Sequence, residues 1–286
     1  MTGRPWCLRA AVGLASIAMV SAALAQPAPI PADPRIDPST GRLIARFAPD
    51  RPFDHIHMRL DLDIPDMGKP FLTGRQELTL EAVGEPRSVV TLDCVGPKVS
   101  SAAVAGAACA FSQDDKTLTI TLPQAVMPGE RVVLSIAYEL DFGQNKGEGL
   151  TWSTPRDDRE GAFWQNAQIH SQGQSQHNSK WFPCHDFPND RVTTELVVTV
   201  ADGFEVLSNG RLVEKAAAGD GRTRWHWLQD KRHPYYLVSL VVGHFSVFDV
   251  GGPDSARPGI PMPVYVPEGR EEVARELFKE TAAMMA

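Results

Sequence analysis

The sequence predicts a mainly β protein, a sandwich-like or curved multi-sheet domain, on three observations. From residue 53 onward, apolar and polar residues alternate with a period of two, as half-buried strands require. Turn signals punctuate these runs at Gly84-Glu85-Pro86, Gly96-Pro97, Asp114-Asp115 and Pro128-Gly129. No helical periodicity intervenes before residue 270.

Taken in order, residues 1–25 carry a basic start (Arg4, Arg9), an apolar stretch from Ala10 to Leu24, and small residues before Gln26. These are the three parts of a secretory signal. The apolar run is shorter than the roughly 20 residues of a spanning helix. Cleavage near Ala25 and a secreted or periplasmic product without a membrane anchor are therefore expected. Cys7 precedes the apolar stretch and is not placed as a lipid acceptor. Residues 26–52 are proline-rich and aperiodic, an arm or linker.

Residues 53–250 hold the strand candidates. In the first, Ile56, Met58, Leu60, Leu62 and Ile64 are expected on the apolar side, with His55, His57, Arg59, Asp61 and Asp63 facing solvent. Further strands are expected at 76–83, 88–93, 99–105, 117–122 and 131–140, then at 194–200, 205–208, 223–228 and 235–248. Ser208-Asn209-Gly210 and Gly219-Asp220-Gly221 supply turns between the later ones. Residues 251–286 read as a proline-rich connector, a short strand at 264–266 and an amphipathic helix over 270–286. Val273, Leu277, Phe278, Thr281 and Met284 recur there at helical spacing, and Glu271 and Glu272 suit the first turn. An apolar helix face needs a partner layer, so this helix is expected to open a second domain that the chain does not contain.

The formal net charge is −7, and removing Arg4 and Arg9 with the signal would take it to −9. An acidic chain without a Lys/Arg cluster is not a nucleic-acid binder. Cys94, Cys109 and Cys184 remain after cleavage. An oxidising compartment permits one bridge, with Cys94 and Cys109 the closest pair in sequence; three buried thiols are the other reading.

Candidate chemistry is sparse. His55 and His57 supply only two ligands, too few for a zinc site, and read as a solvated strand face. His170, His177, His185 and Asp186 match no known ligand or nucleophile spacing, so a structural role is expected. The glycine-rich residues 143–149 do not open a helix as a phosphate loop does. H-E-x-x-H, G-x-S-x-G and Walker sequences are absent. No catalytic residue and no metal ligand is assigned to this chain.

The densest stretch is Gln172-Gly173-Gln174 followed by Trp181-Phe182-Pro183-Cys184-His185-Asp186-Phe187-Pro188-Asn189-Asp190. Pro183 and Pro188 fix their own φ and push Phe182 and Phe187 toward extended backbone, so neither a regular helix nor a central strand passes through. A polar loop leading into a pinned apolar corner presents a few side chains at a fixed place.

Here a resemblance becomes specific. Gly149-Leu150, Ser171-Gln172-Gly173-Gln174 and the Trp181-to-Pro188 corner resemble the amino-terminal domain of the aminopeptidase N family of zinc metallopeptidases. Thr193-Thr194-Glu195, Val206-Leu207-Ser208-Asn209-Gly210 and Tyr235-Tyr236-Leu237-Val238-Ser239 through Gly243-His244-Phe245 continue it in order, over roughly residues 50–286. The resemblance implies a saddle-shaped, multi-stranded β domain followed by a thermolysin-like helical catalytic domain, whose first helix residues 270–286 resemble. In that family, a Gly-Ala-Met-Glu-Asn-type motif and H-E-x-x-H with a downstream Glu bind substrate and zinc beyond that helix. The chain is therefore expected to be a truncated one, with zinc entering only through a catalytic domain and with peptides as substrates once one is supplied. A secreted module that binds peptide or protein partners, or an unrelated envelope or carbohydrate-recognition sandwich, are the other classes.

The family's amino-terminal domain lends the cleft a Gln-x-Glu loop, its Gln lining the first side-chain pocket and its Glu meeting the substrate's free amine. By position Gln172 matches the Gln, and Gln174 stands where the Glu is usual, so the resemblance makes Gln172 and Gln174 the substrate-binding residues. A carboxylate–ammonium hydrogen bond is worth roughly 1.5–3 kcal/mol against roughly 0.5–1.5 for a neutral pair. Amine recognition is expected to be weaker with Gln174.

Overall fold

A computed structural model describes residues 35–43, 47–142, 149–155, 166–251 and 260–285. The expected signal segment, residues 252–259 of the connector and the glycine-rich stretch up to residue 148 lie outside these. Two compact units are present, residues 1–47 and residues 48–286. In the first, Ile36 and Leu43 bridge a small turn whose Asp37 carboxylate accepts from the Ser39 amide at 2.8 Å.

The second unit is built of strands β1 (Phe53–Asp63), β2 (Phe71–Ala82), β3 (Arg87–Asp93), β4 (Lys98–Val104), β5 (Ala107–Ala108), β6 (Ala110–Gln113), β7 (Thr117–Val126) and β8 (Arg131–Asp141). Then follow β9 (Gly149–Ser153), β10 (Gln168–Gln172), β11 (Val192–Ala201), β12 (Glu205–Ser208), β13 (Arg211–Gly219) and β14 (Arg222–His233). The last strands are β15 (Leu240–Gly243), β16 (Phe245–Asp249) and β17 (Pro263–Pro267). An eight-stranded sheet runs β13-β14-β11-β1-β2-β8-β4-β5, beside sheets β12-β15-β10-β9, β3-β7-β6 and β16-β17. β1 is parallel to β11 and antiparallel to β2. That parallel pairing brings the chain after the corner back beside the first strand.

One face of the large sheet carries the core, with Met58, Leu60, Leu78, Leu80, Leu134 and Ile136 all at 0 % exposure. The opposite face is charged: Arg59 joins Asp61 and Glu195 at 2.9 Å each. The expected alternation in β1 holds from Met58 onward and fails before it. The β1–β2 register slips between His55 and His57. Ile56 is the inserted residue of a bulge, which reverses the facing of everything ahead of it. His55, expected on the solvent side, is consequently 5 % exposed and lies with buried Phe53, while Ile56 is only half-buried.

The run expected as one strand over 235–248 divides into three pieces. Pro234, which lacks an N–H, precedes a 3₁₀ turn at Tyr235–Leu237, and β15 and β16 part at His244. Cys94, Cys109 and Cys184 are all free and buried, so the Cys94–Cys109 bridge does not form. The C-terminal helical segment breaks into Glu271–Phe278 and Thr281–Met284. Of its side chains, Ala274 joins Phe248 and Val266 in a small cluster apart from the main core.

Candidate functional site

The loop carrying Gln172 and Gln174 is positioned by backbone close approaches that tolerate no side chain. Gln172 ends β10, paired with Gly149 on β9, while Ile169 pairs with Val242 on β15. A Cβ on Gly173 would lie 2.3 Å from Tyr236 O and 2.6 Å from Asn178 Oδ1. Glycine is therefore required, and the chain turns tightly against the segment behind it. The loop closes on itself through His177 N donating to Gly173 O at 3.0 Å, then enters the 3₁₀ turn Asn178–Lys180.

Asn178, at 0 % exposure, is the hub. Its Nδ2 donates to Tyr235 O (2.5 Å) and Val238 O (3.1 Å), and its Oδ1 accepts from Trp181 Nε1 at 2.8 Å. A buried amide whose donors and acceptor are all paired fixes geometry, because each broken bond would strand a desolvated polar group. Trp181 and Phe182 pack edge-to-face with centroids 4.5 Å apart. Behind them Cys184 and Asp93 exchange backbone bonds of 2.8 and 3.0 Å, and buried Gln76 donates to Pro183 O at 2.7 Å.

Three carboxylates pin the rest of the corner. Asp93 accepts from the Asp186 amide at 2.8 Å, and Asp186 from the Ser179 amide at 2.9 Å. Asp190 accepts from the His55 amide (3.1 Å), the Arg191 amide (2.8 Å) and Arg51 (3.2 Å). Burial raises the Asp186 and Asp190 carboxyls above their ordinary range, opposed by these amide bonds. Burial also holds the Cys184 thiol well above its usual value, so it is neither a thiolate nucleophile nor a thiolate ligand at neutral pH. His55, whose Nδ1 meets the Tyr235 hydroxyl at 2.7 Å, is pushed down to about 3 by burial and then by His185, and is uncharged.

The side chains of Gln172 and Gln174 both remain exposed. Gln174 borders an open groove of about 280 Å³ together with Ser175, Gln176, Phe187, Pro188 and Tyr236, and Gln172 stands outside that groove at the strand end. His177 lies near Asp186 and acts to lower its carboxyl, whereas His170 is exposed on β10. Asn178, Gln76 and Asp93 escaped sequence reasoning, and Asp190 was read only as the end of the corner, since each has a partner far away in the chain that no local spacing marks. Among the described residues no three His, Cys, Asp or Glu side chains are arranged to hold a metal ion.

The pattern that defines the Peptidase M1 N-terminal domain matches residues 54–237. The chain belongs to this M1 amino-terminal domain family. Within it, aminopeptidase B of Rattus norvegicus is 26 % identical over 141 residues, covering 49 % of this chain and 20 % of the relative. Leucyl aminopeptidase of Saccharolobus solfataricus is 25 % identical over 172 residues, covering 60 % of this chain and 20 % of the relative. An M1 zinc metallopeptidase from Deinococcus radiodurans superposes with a TM-score of 0.60 at 27 % identity, covering 80 % of this chain and 52 % of that one. A variant of it bound to a Tyr-Ser-Ala substrate gives the same TM-score at 25 % identity. The chain thus spans about one fifth of the curated relatives' length and about half of the Deinococcus structure. The Deinococcus protein is a zinc metallopeptidase, and its variant is bound to a peptide substrate.

Proposed function

We propose that this chain is the substrate-facing amino-terminal domain of an exported zinc aminopeptidase, and that by itself it hydrolyses nothing. The observation carrying this reading is the loop 172–174, exposed at its side chains and fastened from behind by the buried Asn178 hub. The aminopeptidase relatives and the peptide-bound Deinococcus structure support a peptide as the occupant. Gln174 would offer its amide oxygen to the free amino group, and Gln172 would flank the first side chain. Export rests on the signal-like residues 1–25.

The residues present do not fit the family's zinc. The chain contains no H-E-x-x-H, and no three-ligand set exists among the described residues. No bond-breaking step is assigned to its side chains; their role is to bind and orient.

The test is hydrolysis of an aminoacyl p-nitroanilide by the purified chain with added zinc. No turnover is expected, and chelator-sensitive turnover would overturn the reading. In a parallel titration, Gln174→Glu should tighten a free-amine Tyr-Ser-Ala peptide over its N-acetylated form by about fivefold, from the stronger charge-assisted bond. Equal response of the two peptides would remove Gln174 from amine recognition.

A further inference from the structure

β3 is an edge strand: its sheet runs β3-β7-β6, so one side of its backbone pairs with β7 and no strand covers the other. Two sets of hydrogen bonds fix which residues face which side. Cys94 N donates to Lys116 O at 2.7 Å on the β7 side, while Asp93 turns its N–H and C=O the opposite way, to Cys184 at 2.8 and 3.0 Å. Backbone groups alternate sides residue by residue along a strand. Leu92 and Val90 therefore bond toward β7, and Thr91 and Val89 face the open edge. The corner covers that edge at Asp93 alone. Asp186, the residue next in line to face Thr91, gives its amide to the Asp93 carboxylate at 2.8 Å instead. Among the described residues, the N–H and C=O of Thr91 accordingly have no partner.

Proteins ordinarily guard an open edge with charges, prolines or bulges. β13, the long edge of the eight-stranded sheet, has such guards: two bulges and the charged Arg211, Glu214 and Lys215. The Ser88–Leu92 stretch of β3 has neither charge nor proline, and its Val89 and Thr91 side chains are exposed. Thr91 and its neighbours line a cavity of about 310 Å³ together with Pro49–Phe53, Gln176 and Phe187. That volume lies within the range of ligand sites. Gln176 and Phe187 also line the groove beside Gln174, so cavity and groove adjoin.

We propose that the β3 edge is a second peptide-binding site, at which an extended segment adds as a further strand. An unpaired donor and acceptor on one residue call for the same pair on the ligand, which a polypeptide main chain supplies. A ligand residue bonded to Thr91 puts its side chain on the exposed face that Thr91 occupies. Its neighbours point the other way, toward the face of buried Val90 and Leu92. Phe53 and Phe187 in the cavity lining favour apolar groups at those inward positions. The ligand is thus a peptide that alternates polar and apolar residues. Binding here stands independently of amine recognition at Gln174.

The test titrates the purified full chain with acetyl-Lys-Val-Thr-Val-Thr-Val-Lys-amide, whose blocked amine removes Gln174 from the outcome. Saturable binding should appear by calorimetry, and the Thr91 amide should gain hydrogen-exchange protection. N-methylating both Thr amides of the peptide should weaken binding by about 5–100-fold, the loss of two main-chain hydrogen bonds. N-methylating its three Val amides, which point away from β3, should cost far less. Thr91→Pro removes an outward N–H that the fold does not use, and should lower affinity with little change in Tm. The methylated peptides decide the matter whether or not that variant folds. Absence of binding, equal loss from the two methylation patterns, or a Thr91 amide left unprotected would each overturn the proposal.

Discussion

The corner at residues 173–190 and the helical segment at 271–285 are both rich in apolar side chains, yet they are held in opposite ways. Trp181, Phe182 and Cys184 are at 0 % exposure, whereas Leu277 and Met284 stand 74 % and 81 % exposed. The corner's apolar groups belong to the main core, and buried donors and acceptors from β2, β3 and the Tyr235 turn lock them there. The helix contributes only Ala274 to a small separate cluster. Rigidity at the candidate site therefore comes from long-range hydrogen bonds around a sealed core, and the β unit does not depend on the helix for it.

The largest contrast should come from truncating one apolar side chain in each region. Trp181→Ala removes a fully buried indole and orphans Asn178 Oδ1, and is expected to destabilise by about 3–5 kcal/mol. Leu277→Ala should stay within about 0.5 kcal/mol. Urea unfolding measures both, and similar losses would erase the distinction. Next, Asn178→Ala leaves Val238 O and Trp181 Nε1 unpaired and removes one of the two bonds on Tyr235 O, which keeps the Val238 amide, an expected loss of roughly 2–4 kcal/mol. Gly173→Ala drives a methyl onto Tyr236 O and should lose about 1–3 kcal/mol in the same assay.

The pH dependence is smaller per unit and has a definite sign. His55 is depressed from 6.5 to about 3 by burial, so the unfolded chain binds the extra proton and the folded chain does not. Its contribution is complete above pH 6.5 and is lost on the order of 1.4 kcal/mol per unit as pH falls toward 3. The raised carboxyls of Asp186 and Asp190 act in the opposite sense, favouring the fold as they protonate in acid. His55→Gln should flatten the slope between pH 6.5 and 5, and an unchanged slope would mean that His55 is charged in the fold.

Much of the sheet was legible because a half-buried strand displays its facing as alternation, as in Met58-Leu60-Leu62. β13 was not, since almost all of its residues are exposed and no apolar side marks it. The inward turn of His55 was invisible for a related reason. A bulge inserts one residue without changing composition, so periodicity alone assigns the wrong face ahead of it. Gln172 and Gln174 were reached through a family resemblance rather than any local pattern. Their supports, Asn178 above all, join segments more than fifty residues apart, a contact no spacing rule encodes. The break after Phe278 likewise carries no proline or glycine to announce it.

The central claim is that the loop bearing Gln172 and Gln174 is preformed, clamped from behind before any peptide arrives. Native-state hydrogen exchange tests it most directly at the amides of His177, Ser179, Trp181 and Phe182, each of which donates to Gly173, Asp186 or Asn178. The account predicts that these amides exchange only with global unfolding, while those of 271–285 exchange through local opening at far lower free energy. Fast local exchange at Trp181 and Phe182, equal to that of the helix, would contradict it.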